Sequence, residues 1–99
     1  MSFVMTQPDS PAVAARELHG VGAAMAAHNA AAATPTTGVV PAAADEVSTL
    51  TAAQFAMHAQ MYQRVSGHAA AVHEVFTTTL AISADSYAAT EAANAIAAG

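Results

Sequence analysis

Apolar residues recur at 3–4 spacing along two long stretches, and prolines at 8, 11, 35 and 41 bracket those stretches. In the first stretch, Ala14, Leu18, Val21, Met25, His28 and Ala32 align on one side of a helix, with Arg16, His19, Ala23 and Ala27 opposite. The pattern predicts helix 1 over about 8–34. Proline is tolerated in a first turn, Thr6 or Ser10 can cap it, and Asp9 suits the positive end of the helix dipole. Pro35 disfavours the α conformation at Thr34, so the helix is expected to end there. A linker follows over about 35–45, too short for a sheet. Helix 2 is expected over about 46–84, with Asp45 as cap and Glu46 in the first turn. A tail takes up 85–99, and beyond Glu91 it is small and expected to fray.

Helix 2 carries two apolar stripes. The main one is Phe55, His58, Tyr62, Val65, Ala69, Val72 and Phe76, ending in Leu80, with spacings of 3 and 4 in alternation. Beside it run Leu50, Met57, Met61, His68, Val75 and Ile82. The remaining face holds Ala56, Ala59, Gln60, Gln63, Ser66, Gly67, Ala70, Glu74 and Thr77. The two stripes cover roughly half the circumference at ~100° per residue. Helix 1 is expected to occlude the first stripe, or part of both, and cannot cover all of both. Helix 2 would be about 58 Å long at ~1.5 Å per residue, with helix 1 clearly shorter. The fold class read from this is all-α: an antiparallel two-helix hairpin with apolar surface left over. Two helices without staples make a poor independent domain, so the hairpin reads as half of a bundle completed by another chain. Phe55, Tyr62, Val65, Val72, Phe76 and Leu80 are the candidate partner contacts, with Leu18, Val21 and Met25 on helix 1. The large aromatics are the expected anchors, and Met57 and Met61 suit adaptable packing.

Composition sharpens this reading. The hydrophobic fraction is 55% and the mean hydropathy +0.37, which suggests a rich core. Thirty of the 99 residues are Ala, however, and only 24 are Val, Leu, Ile, Met, Phe or Tyr. Ala removes little area from water, at about 25 cal/mol per Å². An enzyme core with a deep pocket is not expected from such a chain. Cysteine is absent, which excludes a disulfide framework, a zinc ribbon and a thiol nucleophile. Two basic residues against seven acids give a net charge of −5, which speaks against nucleic acid and against an anionic membrane surface. The N-terminus lacks a basic segment and is broken by prolines, so it does not read as a Sec-type signal. The most apolar run, 21–33, is too short to span a bilayer.

Candidate chemistry is sparse. The histidines lie at 19, 28, 58, 68 and 73, and no pair has the i, i+4 spacing of helical zinc ligands. No nucleophile elbow is present, and Ser48, His58 and Asp45 cannot converge on one rigid helix. No catalytic residue, metal, cofactor or small-molecule substrate is expected. His28 and His58, on the apolar stripes, are expected to be packed and hydrogen-bonded, which would weaken assembly at acid pH as a buried imidazole is charged.

Several segments together resemble a known family. The opening Met1-Ser2-Phe3-Val4, the Pro8-Asp9 pair and the linker Thr36-Thr37-Gly38-Val39-Val40-Pro41-Ala42-Ala43-Ala44-Asp45-Glu46-Val47-Ser48 resemble the mycobacterial PE family. The closing Ser86-Tyr87-Ala88-Ala89-Thr90-Glu91 resembles that family's type VII secretion signal, Tyr-x-x-x-Asp/Glu. Pro8-Asp9 departs from the Pro-Glu for which the family is named, and keeps the negative charge. The chain stops soon after the tail motif and is similar to the short PE-only members, a single PE domain over 1–99.

The resemblance implies a helical hairpin that pairs with the hairpin of a PPE protein in an elongated four-helix bundle. It implies export of the folded pair through an ESX (type VII) system to the cell envelope or outside, with a cytosolic chaperone contacting the PPE partner. Tyr87 and Glu91 would be the secretion signal, an aromatic ring and a carboxylate one turn apart. A straight helix 2 would put Tyr87 on the same side as Phe76 and Leu80. Tyr87 is therefore expected to be freed by a helix break near Ser83–Ser86, or by the partner ending before it. The alternative reading is a self-associating helical bundle or an amphipathic module at a lipid surface; the Lys and Arg flanks usual for the latter are missing.

Overall fold

A computed structural model describes residue 7 and residues 9–99. It holds two helices, α1 (Asp9–Thr37) and α2 (Glu46–Ala98), and no strand among the described residues. Pro8 and the candidate cap Thr6, with Met1-Ser2-Phe3-Val4, lie outside the described residues.

At the start of α1 the Ser10 N–H donates to the Gln7 carbonyl at 3.0 Å, and the Ser10 hydroxyl to Gln7 Oε1 at 3.2 Å. Ser10 is thus inside the helix rather than its cap. The helix does not stop at Thr34 as expected; it passes through Pro35 and ends at Thr37. Proline removes one N–H and crowds the carbonyl four residues back, that of Ala31, a cost confined to the last turn of α1. The Thr36 and Thr37 hydroxyls donate to the carbonyls of Ala32 and Ala33, and the Gly38 N–H closes on Thr34 O at 3.0 Å.

Asp45 caps α2. Its carboxylate accepts from the Ser48 N–H at 3.0 Å and from the Ser48 hydroxyl at 2.7 Å, while its carbonyl accepts from the Thr49 N–H at 3.1 Å. The Ser48 hydroxyl first, and the Ser48 N–H second, hold the Asp45 carboxyl below the usual Asp range. A depressed carboxyl stabilises the folded form above the ordinary Asp titration, and that contribution is lost as pH falls through the lowered value. Asp45→Ala is accordingly expected to speed amide exchange over Val47–Thr49 near neutral pH. Asp45→Asn, which retains an acceptor, should not. Acidification of the wild type through the lowered Asp45 titration should have a smaller effect than Ala, because protonated Asp45, like Asn, loses the charge and keeps a carbonyl acceptor.

At its other end α2 extends to Ala98, past the expected boundary near 84, and neither breaks at Ser83–Ser86 nor frays after Glu91. Nothing between Gly67 and Ala98 interrupts it: the segment holds no Gly or Pro and is rich in Ala, the best helix former. The Thr90 hydroxyl back-bonds to Ser86 O at 3.0 Å, and Gly99, at φ 76°, donates its N–H to Ile96 O.

The described residues form two compact units, one central in the sequence (Ala23–Val72) and one joining the N-terminal segment up to Gly22 with His73–Gly99. In the central unit the linker returns the chain so that the end of α1 runs antiparallel to the start of α2. Ala52 and Ala59 are buried, and Ala56, Gln63 and Ser66 of α2 half-buried, as are Asn29, Ala32, Ala33 and Thr37 of α1. Asn29 is the polar hub: its side-chain oxygen accepts from the Tyr62 hydroxyl at 2.8 Å, and its carbonyl from Gln63 Nε2 at 3.1 Å. In the terminal unit the buried residues are Ala15, Thr77 and Ala84, with Leu18, Gly22, His73, Leu80 and Ser83 half-buried.

In both units the helix–helix seam is therefore built mainly from small and polar residues, on the face of α2 beside the two large apolar stripes. Helix 1 does not occlude the large apolar stripe. Ala52, Ala56, Ala59, Gln63, Ser66, His73, Thr77, Leu80 and Ala84 share the same heptad-like spacing as the large stripe, displaced around the helix. Small side chains let two backbones approach closely, and the polar ones bond directly to α1.

Candidate partner interface

The consequence of that seam is an exposed apolar face. On α2 in the central unit, Phe55, Met57, Met61 and Val65 are each 62% exposed, Tyr62 49% and Val72 70%. Met25 of α1, in the same unit, is exposed too. In the terminal unit Val75, Phe76 and Ile82 on α2 are exposed, as are Val13 and Val21 on α1. Leu18 and Leu80 differ from the other interface candidates: both are half-buried, closer to the seam. Large exposed apolar patches on otherwise polar proteins mark interaction sites. Here the exposed residues include most of the large side chains of the chain.

The central unit also holds an open groove of about 420 Å³, walled by Phe55, Tyr62, Pro35 and Val39, with Asn29, Thr36 and His58 at polar positions. His28 and His58 are exposed rather than packed, which removes the basis for the expected acid sensitivity through burial in this chain.

The histidine that the stripes did not single out is His73. It is half-buried, and its Nε2–H donates to the Leu18 carbonyl at 2.6 Å. Its ring lies against Gly22: a Cβ on Gly22 would meet His73 Cδ2 at 2.7 Å and Nε2 at 2.9 Å. The signal available in the sequence was Gly22 itself, a residue that costs about 1 kcal/mol relative to Ala inside a helix, four residues after Leu18.

Tyr87 is 56% exposed and Glu91 half-buried, one turn apart on unbroken helix. Asp9 is exposed in the first turn of α1. Among the described residues no three His, Asp or Glu side chains gather as metal ligands, and no helix is long and apolar enough to cross a membrane.

The family model described as PE family matches residues 4–94. The chain is 66% identical over 98 residues to PE family protein PE13 of Mycobacterium tuberculosis, covering 99% of both chains. It is 53% identical over 98 residues to PE family protein PE8 of the same organism, covering 99% of this chain and 36% of that one. It is 54% identical over 95 residues to PE-PGRS family protein PE_PGRS33, also of M. tuberculosis, covering 96% of this chain and 20% of that one. The chain thus spans the whole of one relative and about a third or less of the other two. Neither the family description nor these names carries an enzymatic activity. A match that runs through both helices and the linker, with end-to-end similarity to PE13, shows that this chain belongs to the PE family.

Proposed function

We propose that the chain is a non-enzymatic helical subunit that heterodimerises with a PPE-family protein and carries the type VII secretion signal of the pair at Tyr87 and Glu91. The observation that supports pairing is the exposure of Phe55, Tyr62, Val65, Val72 and Phe76 while a small-residue seam holds α1 to α2. A hairpin whose large side chains face outward has its hydrophobic stabilisation still to be realised. A second hairpin on that face completes a four-helix bundle. Val21 and Met25 extend the contact on α1, and Leu18 and Leu80 lie at its inner edge. The machinery then meets the signal on the paired chain, the chaperone contacts the PPE subunit, and the pair is delivered to the cell envelope or beyond.

Two measurements test this reading. Expressed with a PPE-family protein, the chain should co-purify at one to one; a cooperatively melting homodimer formed alone, indifferent to the PPE protein, would replace the reading with self-association. Because α2 is unbroken at Ser83–Ser86, this reading requires the partner to end before Tyr87; Tyr87→Ala should then leave pairing intact and should abolish export, scored as the ratio of extracellular to cell-retained pair. Loss of pairing instead would make Tyr87 an interface residue.

A further inference from the structure

The second stripe of α2 contains a charge. Met57, Met61 and Arg64 follow one another at spacings of 4 and 3, with Leu50 and His68 on the same side, all within the central unit. Arg64 is one of only two basic residues in the chain, and it is exposed. Its neighbours one turn away along α2 are Gln60, Met61, Gly67 and His68, none of them acidic. The carboxylates of the central unit are Asp45 and Glu46, at the far start of the helix, and Asp45 is engaged by Ser48. In a protein of net charge −5, this cation thus has no acid of its own beside it and stands among exposed methionines.

A partner that seats on Leu50, Met57 and Met61 removes water from Arg64 as well. Desolvating a guanidinium without a counter-charge is costly, and a facing carboxylate, bound in bidentate fashion, offsets that cost. We infer that the partner of this face presents an apolar helical surface bearing a carboxylate opposite Arg64, so that this one ion pair sets the register of docking and selects among otherwise similar apolar partners. The inference rests on the heterodimer reading and names the chemistry its partner must have. Charge pairs of this kind discriminate by penalising partners that lack the counter-charge.

The test uses the full chain co-expressed with its PPE-family partner. Arg64→Met keeps length and apolar character. If a carboxylate faces Arg64, this substitution strands it, and affinity should fall by about tenfold or more; Arg64→Glu should fall further. Arg64→Lys should retain part of the affinity, because it keeps the charge without the fork. Reversing the partner's facing acid to Arg should restore pairing of Arg64→Glu. Unchanged or tighter pairing of Arg64→Met overturns the inference while leaving the heterodimer standing. Failure of the wild-type chain to pair at all overturns the heterodimer reading, and the inference with it.

Discussion

Phe76→Asp is expected to eliminate the heterodimer while leaving the secondary structure of the chain intact. Phe76 is 57% exposed, so the single chain gives up little by the change. In the bundle the same position would be enclosed. The substitution there forfeits about 1.5–3 kcal/mol of aromatic burial and strands a carboxylate away from water. Together these should lower affinity by about a hundredfold or more. Titration of the purified pair, or failure to co-purify, measures it. Phe76→Leu should pair with only a modest loss, because it retains apolar volume. An Asp variant that pairs normally would place Phe76 in solvent in the complex and remove the face from the interface.

Gly22→Ala is the second large effect, and it acts through the seam rather than the exposed face. The added methyl would lie 2.7 Å from His73 Cδ2, nearer than carbon atoms tolerate. The ring must turn or α1 must shift, and either movement breaks the His73–Leu18 hydrogen bond. Overpacking of this kind costs about 1–3 kcal/mol, offset by roughly 1 kcal/mol from alanine's better helix propensity, a net loss of up to about 2 kcal/mol, a few degrees in melting temperature. The measurement is thermal unfolding of the co-purified pair. His73→Ala makes room for the methyl, so the double variant should lose less than the sum of the two single losses. Additive losses would show that ring and glycine do not interact. The contrast with Phe76→Asp is in the readout: Gly22→Ala lowers the stability of the seam, whereas Phe76→Asp acts only through the partner.

Much of the architecture was legible in the residues. The two proline-free stretches became two helices, and Asp45 with Ser48 forms the cap that starts the second. The wide apolar arc on α2 was visible as two stripes. What periodicity could not reveal was which face α1 takes. Phe55, Val65 and Phe76 are large and apolar, whereas Ala52, Ala56 and Ala59 are small, although both sets repeat at the same interval. Size argues for burial, but close helix approach rewards small side chains and directional bonds such as Gln63 to Asn29 and His73 to Leu18. Pro35 reads as a stop because proline disfavours the α conformation at the residue before it, here Thr34; α1 nonetheless passes through it and ends at Thr37. α2 runs on through Ser83–Ser86 although the apolar pattern breaks there: a break in amphipathicity is not a break in backbone. Of the candidate site, Phe55, Tyr62, Val65, Val72, Phe76, Val21 and Met25 are exposed, with Leu18 and Leu80 nearer the seam.

The small-residue seam has one more consequence. Because the contacts between α1 and α2 use Ala, Gly, Asn, Gln, Thr and one His, almost none of the large side chains is committed to holding the hairpin together. Mutations that exchange Phe, Val and Met on the outer face leave the seam untouched, whereas Tyr62, whose hydroxyl bonds Asn29, belongs to both. Folding and partner choice are thus inherited as separate traits, and a duplicated copy of such a chain can drift toward a new companion without first having to solve its fold again.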